Sequence, residues 1–214
     1  MRQLGRQDAR ALIVHYACQV TNNDVLRSLR YALELDNATL VDYFALADVE
    51  MPLTFLASLL KKDDEPGFEP LTDELLGLLF DGFIAKLRGP RADPVVAHAP
   101  EDRALGRSPA DLRSRAEAPR ASTTARAAAP ERVSEAPGAL TNNRILRSLR
   151  IGLGLKDTDV VSIMQLAGVT VSKSELGALF RREDHRNYQP CGDQFLRNFL
   201  RGTGLWHRQG RRFT

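Results

Sequence analysis

The decapeptide TNNDVLRSLR at 21–30 returns as TNNRILRSLR at 141–150, and the correspondence then runs on without a gap at a constant offset of 120 residues. Thr21 aligns with Thr141, Val49 with Val169, Leu59 with Leu179, Asp64 with Asp184, Asp73 with Asp193 and Gly82 with Gly202, and about a third of positions 21–85 are identical. A fixed-offset duplication constrains architecture before any single residue does: each copy is one folding unit, and what both copies keep is what that unit needs. It names no chemistry.

Within each copy the apolar residues recur at helical spacing. Val25, Leu26, Leu29 and Leu33 line one face of a first helix, and Ile145, Leu146, Leu149 and Leu153 repeat it, with Asn22 or Asn23 available as cap. A second helix is predicted over roughly 38–48 (158–167) and a third over roughly 52–62 (172–182). After a polar loop, DDEPGFEP against EDHRNYQP, a fourth helix follows Pro70 and Pro190, with Thr72/Asp73 and Asp193 as caps. Leu56, Leu59, Leu76 and Phe80, with Leu26, Leu29 and Leu33 and all their counterparts, are the expected core. β-branched alternation is absent, so no sheet is expected.

The segments outside the copies read differently. Residues 91–138 are rich in Ala, Pro, Arg, Glu and Ser, with prolines at 94, 100, 109, 119, 130 and 137. Recurrent proline and no apolar period cannot build a core, so this is expected to be a flexible linker. Residues 1–20 have no counterpart before the second copy. Their apolar run Ala11–Val14 is too short for a signal peptide. They read either as a partly helical tail or as the product of a misplaced start, since valine codons can initiate and the repeat begins one residue after Val20. Cys18 and Cys191 are the only cysteines and lack metal-ligand spacing, which points to a reduced, cytoplasmic protein without disulfides.

The overall formal charge of +3 hides a segregation. Residues 21–90 carry 6 Lys/Arg against 13 Asp/Glu, a net of −7, whereas residues 139–214 carry 13 against 6, a net of +7. Two copies of one fold with opposite charge suggest attraction between them, or one copy turned toward an anionic partner.

The NN-x-x-LR-x-LR opening, the basic pair followed by acids (KKDD at 61–64, RRED at 181–184) and the CGDQFLRNFLRG ending at 191–202 resemble the YehS-like family, small bacterial proteins built from two such repeats. The resemblance covers both copies, about 135 residues, and implies a helical tandem repeat. It implies no activity and no site residues. The long Ala/Pro linker and the N-terminal extension depart from the compact family pattern.

Candidate functional residues are cationic. Arg27/Arg147 and Arg30/Arg150 recur in both copies and read as structural partners of Asp64/Asp184 or Asp73/Asp193, because they stay while the overall charge inverts. Lys61-Lys62 and Arg181-Arg182 end the third helix, where cations complement the helix dipole. The second and third helices with their AGVTVS junction at 167–172 look like helix-turn-helix, with Ser172, Lys173 and Ser174 opening the recognition helix. The fit is imperfect, because Asp48 replaces Gly168 in the first copy and Ser174 stands where the motif wants an apolar residue. His15, His98, His185 and His207 lack repeated partners, and no phosphate loop or nucleophile elbow occurs.

These readings lead to an all-α protein of two homologous four-helix domains from an internal duplication, joined by a long disordered linker. The expected parts are an extension 1–20, an acidic domain 21–90, the linker 91–138, a basic domain 139–206 and a basic tail 207–214. The leading functional expectation is a non-enzymatic binding or regulatory module without cofactor, metal or membrane. Its second domain would contact nucleic acid through Lys173, Arg181, Arg182, Arg186, Arg197 and Arg201. The rival is a protein-interaction or self-assembly module in which the oppositely charged repeats dock on each other.

Overall fold

In a computed structural model of the chain, residues 20–89 and 140–210 are described. Cys18, His15 and His98, the extension through residue 19, the linker 90–139 and residues 211–214 lie outside them. The described residues form eight α-helices and no strand: α1 Asn22–Ala32, α2 Asn37–Leu46, α3 Leu53–Leu59, α4 Asp73–Arg88, α5 Asn142–Gly152, α6 Asp157–Leu166, α7 Lys173–Leu179 and α8 Asp193–Arg208. Each repeat therefore supplies four helices at matching positions, as its period requires.

Local chemistry explains the boundaries. Thr21, not Asn22 or Asn23, caps α1: its hydroxyl accepts from the Asp24 N–H (3.1 Å), and the Asp24 carboxylate accepts in return from the Thr21 N–H (3.1 Å), a capping box. Ser172 and Glu175 do the same for α7, and Thr72 caps α4. Gly192, with no side chain to offer, stands at the N-cap of α8, so Asp193 is released for another task. The third helix is shorter than its apolar spacing predicts, seven residues in each copy.

The first and second helices of both repeats end in the same device. Leu35 N–H donates to Arg30 O (2.9 Å) and Glu34 N–H to Tyr31 O (3.4 Å), and the pattern recurs at Leu155, Val49 and Val169. This Schellman closure needs a left-handed residue just past the helix. The second copy uses Gly154 (φ 65°) and Gly168 (φ 81°), whereas the first holds Glu34 (φ 54°) and Asp48 (φ 58°) there. A left-handed non-glycine residue costs roughly 1–2 kcal/mol. Glu34→Gly is therefore expected to raise stability by about 0.5–1 kcal/mol, after the entropy that glycine itself loses. An unchanged or lower urea midpoint would contradict that account.

Burial follows the predicted faces with one exception. Leu26, Leu29, Leu56, Leu59, Leu76 and Phe80 are buried, and so are Leu146, Leu149, Leu176, Leu179, Leu196 and Leu200. Leu33 is only half-buried, whereas its counterpart Leu153, likewise one residue past the end of its helix, is buried. Within each repeat the second and fourth helices meet backbone to backbone. A Cβ on Gly82 would overlap the Tyr43 carbonyl, and one on Gly202 would overlap the Ile163 carbonyl. Around the first crossing Tyr43, Phe80 and Phe83 stack edge to face, with centroids 5.5 and 6.5 Å apart.

Packing units and repeats do not coincide. One compact unit joins the residues up to Asp36 to those from Asn142 onward, and the other comprises Asn37–Thr141. The first helix of the first repeat thus belongs with the second repeat. There α1 lies along α8, so close at one point that a Cβ on Gly204 would stand 3.2 Å from the Ala32 Cα. The residue leading into that helix is fixed too: Val20 N–H donates to the Asp193 carboxylate (3.2 Å) at the start of α8. In the other unit Leu140, its counterpart 120 residues on, donates to Asp73 (3.2 Å) at the start of α4. The aspartate that begins each fourth helix therefore receives the lead-in of the other repeat's first helix.

Candidate anion-binding cleft of the second repeat

The NN opening of α5 acts as a fastener. Asn143 is buried at 7% exposure, and its amide donates to Leu179 O (2.8 Å) and Gln189 O (2.9 Å). Its carbonyl oxygen accepts from the Cys191 N–H (2.7 Å). One side chain thus ties α5 to the end of α7 and to the entry of α8. Asn142 donates to Asp193 (2.6 Å) and to Cys191 O (3.1 Å) beside it. Such a buried amide is stable because its donors and acceptor are met. Cys191 is enclosed in the same knot. Burial, with the nearby Asp193 charge, pushes its thiol up to about 12, so it stays protonated at neutral pH and is no nucleophile there.

Fastening α5 against the loop after α7 leaves a cleft of about 390 Å³ lined by Asn143, Arg144, Arg147, Arg181, Arg182, Glu183, Asp184 and Tyr188. Four guanidinium groups face two carboxylates, a formal excess of +2. Two of the four are held by backbone carbonyls. Arg147 donates to Phe180 O (2.6 Å), and Arg181 donates to Asn187 O (3.3 Å). A guanidinium has five N–H donors in a planar fork, so anchoring one of them orients the rest. Arg182 is exposed and only loosely paired with Asp184, at 3.8 Å between nitrogen and oxygen.

Arg27, Arg147 and Arg150 have partners besides the expected Asp64/Asp184 or Asp73/Asp193. Arg27 pairs with Asp24 one turn earlier (2.6 Å). Burial opposes ionisation of Asp24, but hydrogen bonds from the Thr21 N–H, Arg27 and the Thr21 hydroxyl outweigh it and hold the carboxyl below the ordinary aspartate range. Arg150 lies over the Phe180 ring, 4.5 Å from its centroid, and pairs with Asp157 (2.7 Å).

The six sequence-predicted contact residues divide with respect to this cleft. Arg181 and Arg182 line the cleft. Lys173 begins α7, whereas these two arginines follow its end, and Arg186, Arg197 and Arg201 are not among the lining residues. The helix-turn-helix likeness weakens on the same evidence. The junction 167–172 is longer than the 3–4 residues such turns have, and the basic pair sits at the wrong end of the short α7 to enter a groove N-terminus first. Sequence reading missed Arg144. The available signal was Asp24: the aligned position is acidic in the first copy and basic in the second. With Arg27, Lys61, Lys62, Asp63 and Asp64, the aligned first-copy residues sum to zero, and position 24/144 carries the whole difference.

Among the described residues no group of three or more His, Cys, Asp or Glu could hold a metal ion, and no helix is long and apolar enough to cross a membrane. The family described as "Protein of unknown function (DUF1456)" matches residues 22–89 and 142–208, the two repeats. "Uncharacterized protein YehS" of Escherichia coli (strain K12) is 34% identical over 181 residues, covering 85% of this chain and 92% of that protein. No solved structure matches. With both repeats matched and the likeness to YehS running through most of both chains, the chain belongs to the DUF1456 family.

Proposed function

We propose that the chain is a non-enzymatic binding or regulatory module and that its second repeat contacts nucleic acid through the arginine cleft. The observation that supports this is the convergence of Arg144, Arg147, Arg181 and Arg182 on one open concavity, two of them oriented by backbone carbonyls. Arginine forks match phosphate oxygens bidentately, and such contacts supply most sequence-independent affinity for nucleic acid. The point of contact is the cleft and not a recognition helix. Lys173, Arg186, Arg197 and Arg201 contribute at most a surrounding positive field.

A second reading, a protein-interaction module, draws on the acidic repeat. Leu46 and Leu53 flank the junction between α2 and α3 at 49% and 60% exposure, where the second copy has half-buried Leu166 and the charged Lys173.

The test is binding of labelled DNA and RNA by the full chain across a salt series. Affinity is expected to fall with a log–log slope of roughly −0.7 to −0.9 per phosphate neutralised. Arg181→Ala and Arg182→Ala should each reduce that slope by about one unit. Arg144→Asp, which installs the first copy's residue, should weaken binding about tenfold or more, since it replaces attraction by repulsion. Lys61→Ala and Lys62→Ala should change little. If no nucleic acid binds at low salt, the interaction-module reading takes its place.

A further inference from the structure

We infer that the cleft takes single-stranded nucleic acid, with one base stacked on Tyr188 and its phosphates held by the arginines. The inference rests on the proposed anion-binding role of the cleft and names the ligand class. Three observations lead to it.

The first is shape. The site is a concavity of about 390 Å³, within the range of small-ligand pockets and therefore sized for roughly a nucleotide. A rigid duplex presents its phosphates on a convex surface and is read by elements that protrude into its grooves. The helix of the helix-turn-helix-like segment, α7, has seven residues, and Arg181 and Arg182 lie beyond its C-terminal end.

The second is composition. Tyr188 shares the lining with the four arginines. An aromatic ring among guanidinium groups is the recurrent chemistry of single-strand sites, where rings and arginine planes stack on bases and cations track the backbone. The first copy has Phe68 at this position, so the repeat keeps a ring there while only the second copy surrounds it with excess positive charge.

The third is preorganisation. The Asn143 hydrogen bonds to Leu179 and Gln189 fix the strand of loop next to Tyr188. The Tyr188 N–H donates to His185 O (2.8 Å), and the Asn187 N–H to His185 Nδ1 (3.1 Å). The ring is carried on a closed turn, so less ordering is needed on binding.

The experiment measures the full chain against a labelled oligothymidine strand, a hairpin duplex of equal length and inorganic polyphosphate. The single strand should bind about tenfold or more tightly than the duplex. Tyr188→Leu should weaken single-strand binding by roughly tenfold, the scale of one lost base stack, and leave polyphosphate binding unchanged. Tyr188→Phe should retain it. Ultraviolet cross-linking of the wild-type complex should place the strand on the peptide containing Tyr188, which keeps the test decisive even where Tyr188→Leu fails to fold. Equal or tighter duplex binding, a Tyr188→Leu loss shared by polyphosphate, or cross-links confined to other peptides would overturn the inference while leaving the anion site standing. Failure of all three anions to bind would remove the proposed function with it.

Discussion

Gly82→Ala is expected to lower stability by about 3 kcal/mol or more, the upper end of what overpacking costs, and Gly202→Ala to do nearly the same. A single methyl group has this effect because of what it would meet. The nearest atoms are the carbonyl oxygen and carbon of Tyr43 in one repeat and of Ile163 in the other. These are backbone atoms in the middle of a helix and cannot rotate aside as a side chain can. Either the second and fourth helices separate, and the Tyr43–Phe83 stacking opens with them, or the helix bends. Gly177 in α7 is the internal control, since nothing stands within 4 Å of a Cβ there. Gly177→Ala should stabilise by roughly 0.5–1 kcal/mol, the ordinary gain in a helix. Urea unfolding of the three variants decides the matter. Equal small effects at all three positions would mean that the close crossing does not exist.

The identity of Gly82 and Gly202 was visible in the sequence, but its reason was not. A glycine kept inside a strongly apolar helix signals close approach by something, and only the structure names the partner. The same limit runs through the fold. Helical period, loop chemistry and the fixed offset gave eight helices and nearly the whole core. They did so because apolar spacing reports which residues share a face. The asparagine pair reads locally as a cap, since Asn at a helix start is a good one. Asn143 instead reaches across 36 residues to Leu179, and no local pattern encodes such a partner.

The candidate site was legible in half. Arg181 and Arg182 stood out as a repeated basic pair. Arg144 is not legible from what the two copies share, since Asp24 holds the aligned position. The informative position was one where they differ while everything around it agrees. Arg197 and Arg201 were grouped with the others by charge alone, and charge says nothing about which face of α8 a residue occupies.

The placement of α1 beside α8 was the least legible feature and leads to the second large effect. A fragment beginning at residue 139 contains every residue of the second repeat. It is nevertheless expected not to form a stable folded monomer, because it lacks α1. That helix buries Val25, Leu26, Leu29 and Ala32, and in this unit its neighbour is α8. Burying a large apolar side chain is worth roughly 1.5–3 kcal/mol. Three of them approach the whole net stability of a small domain, about 5–15 kcal/mol. Restoring residues 20–36 as a separate peptide should recover the fold, and the peptide's Val20 should again meet Asp193. In the full chain the same contact can be trapped chemically. A Cβ at position 204 would lie 3.4 Å from the Ala32 Cβ, close to the roughly 3.5–4.5 Å separation of a disulfide. The double variant Ala32→Cys, Gly204→Cys should oxidise to an intramolecular bridge that joins the first repeat to the second and leaves the chain monomeric. A fragment 139–214 that sediments as a folded monomer, together with a double variant that stays reduced under mild oxidant, would show that the second repeat does not depend on α1.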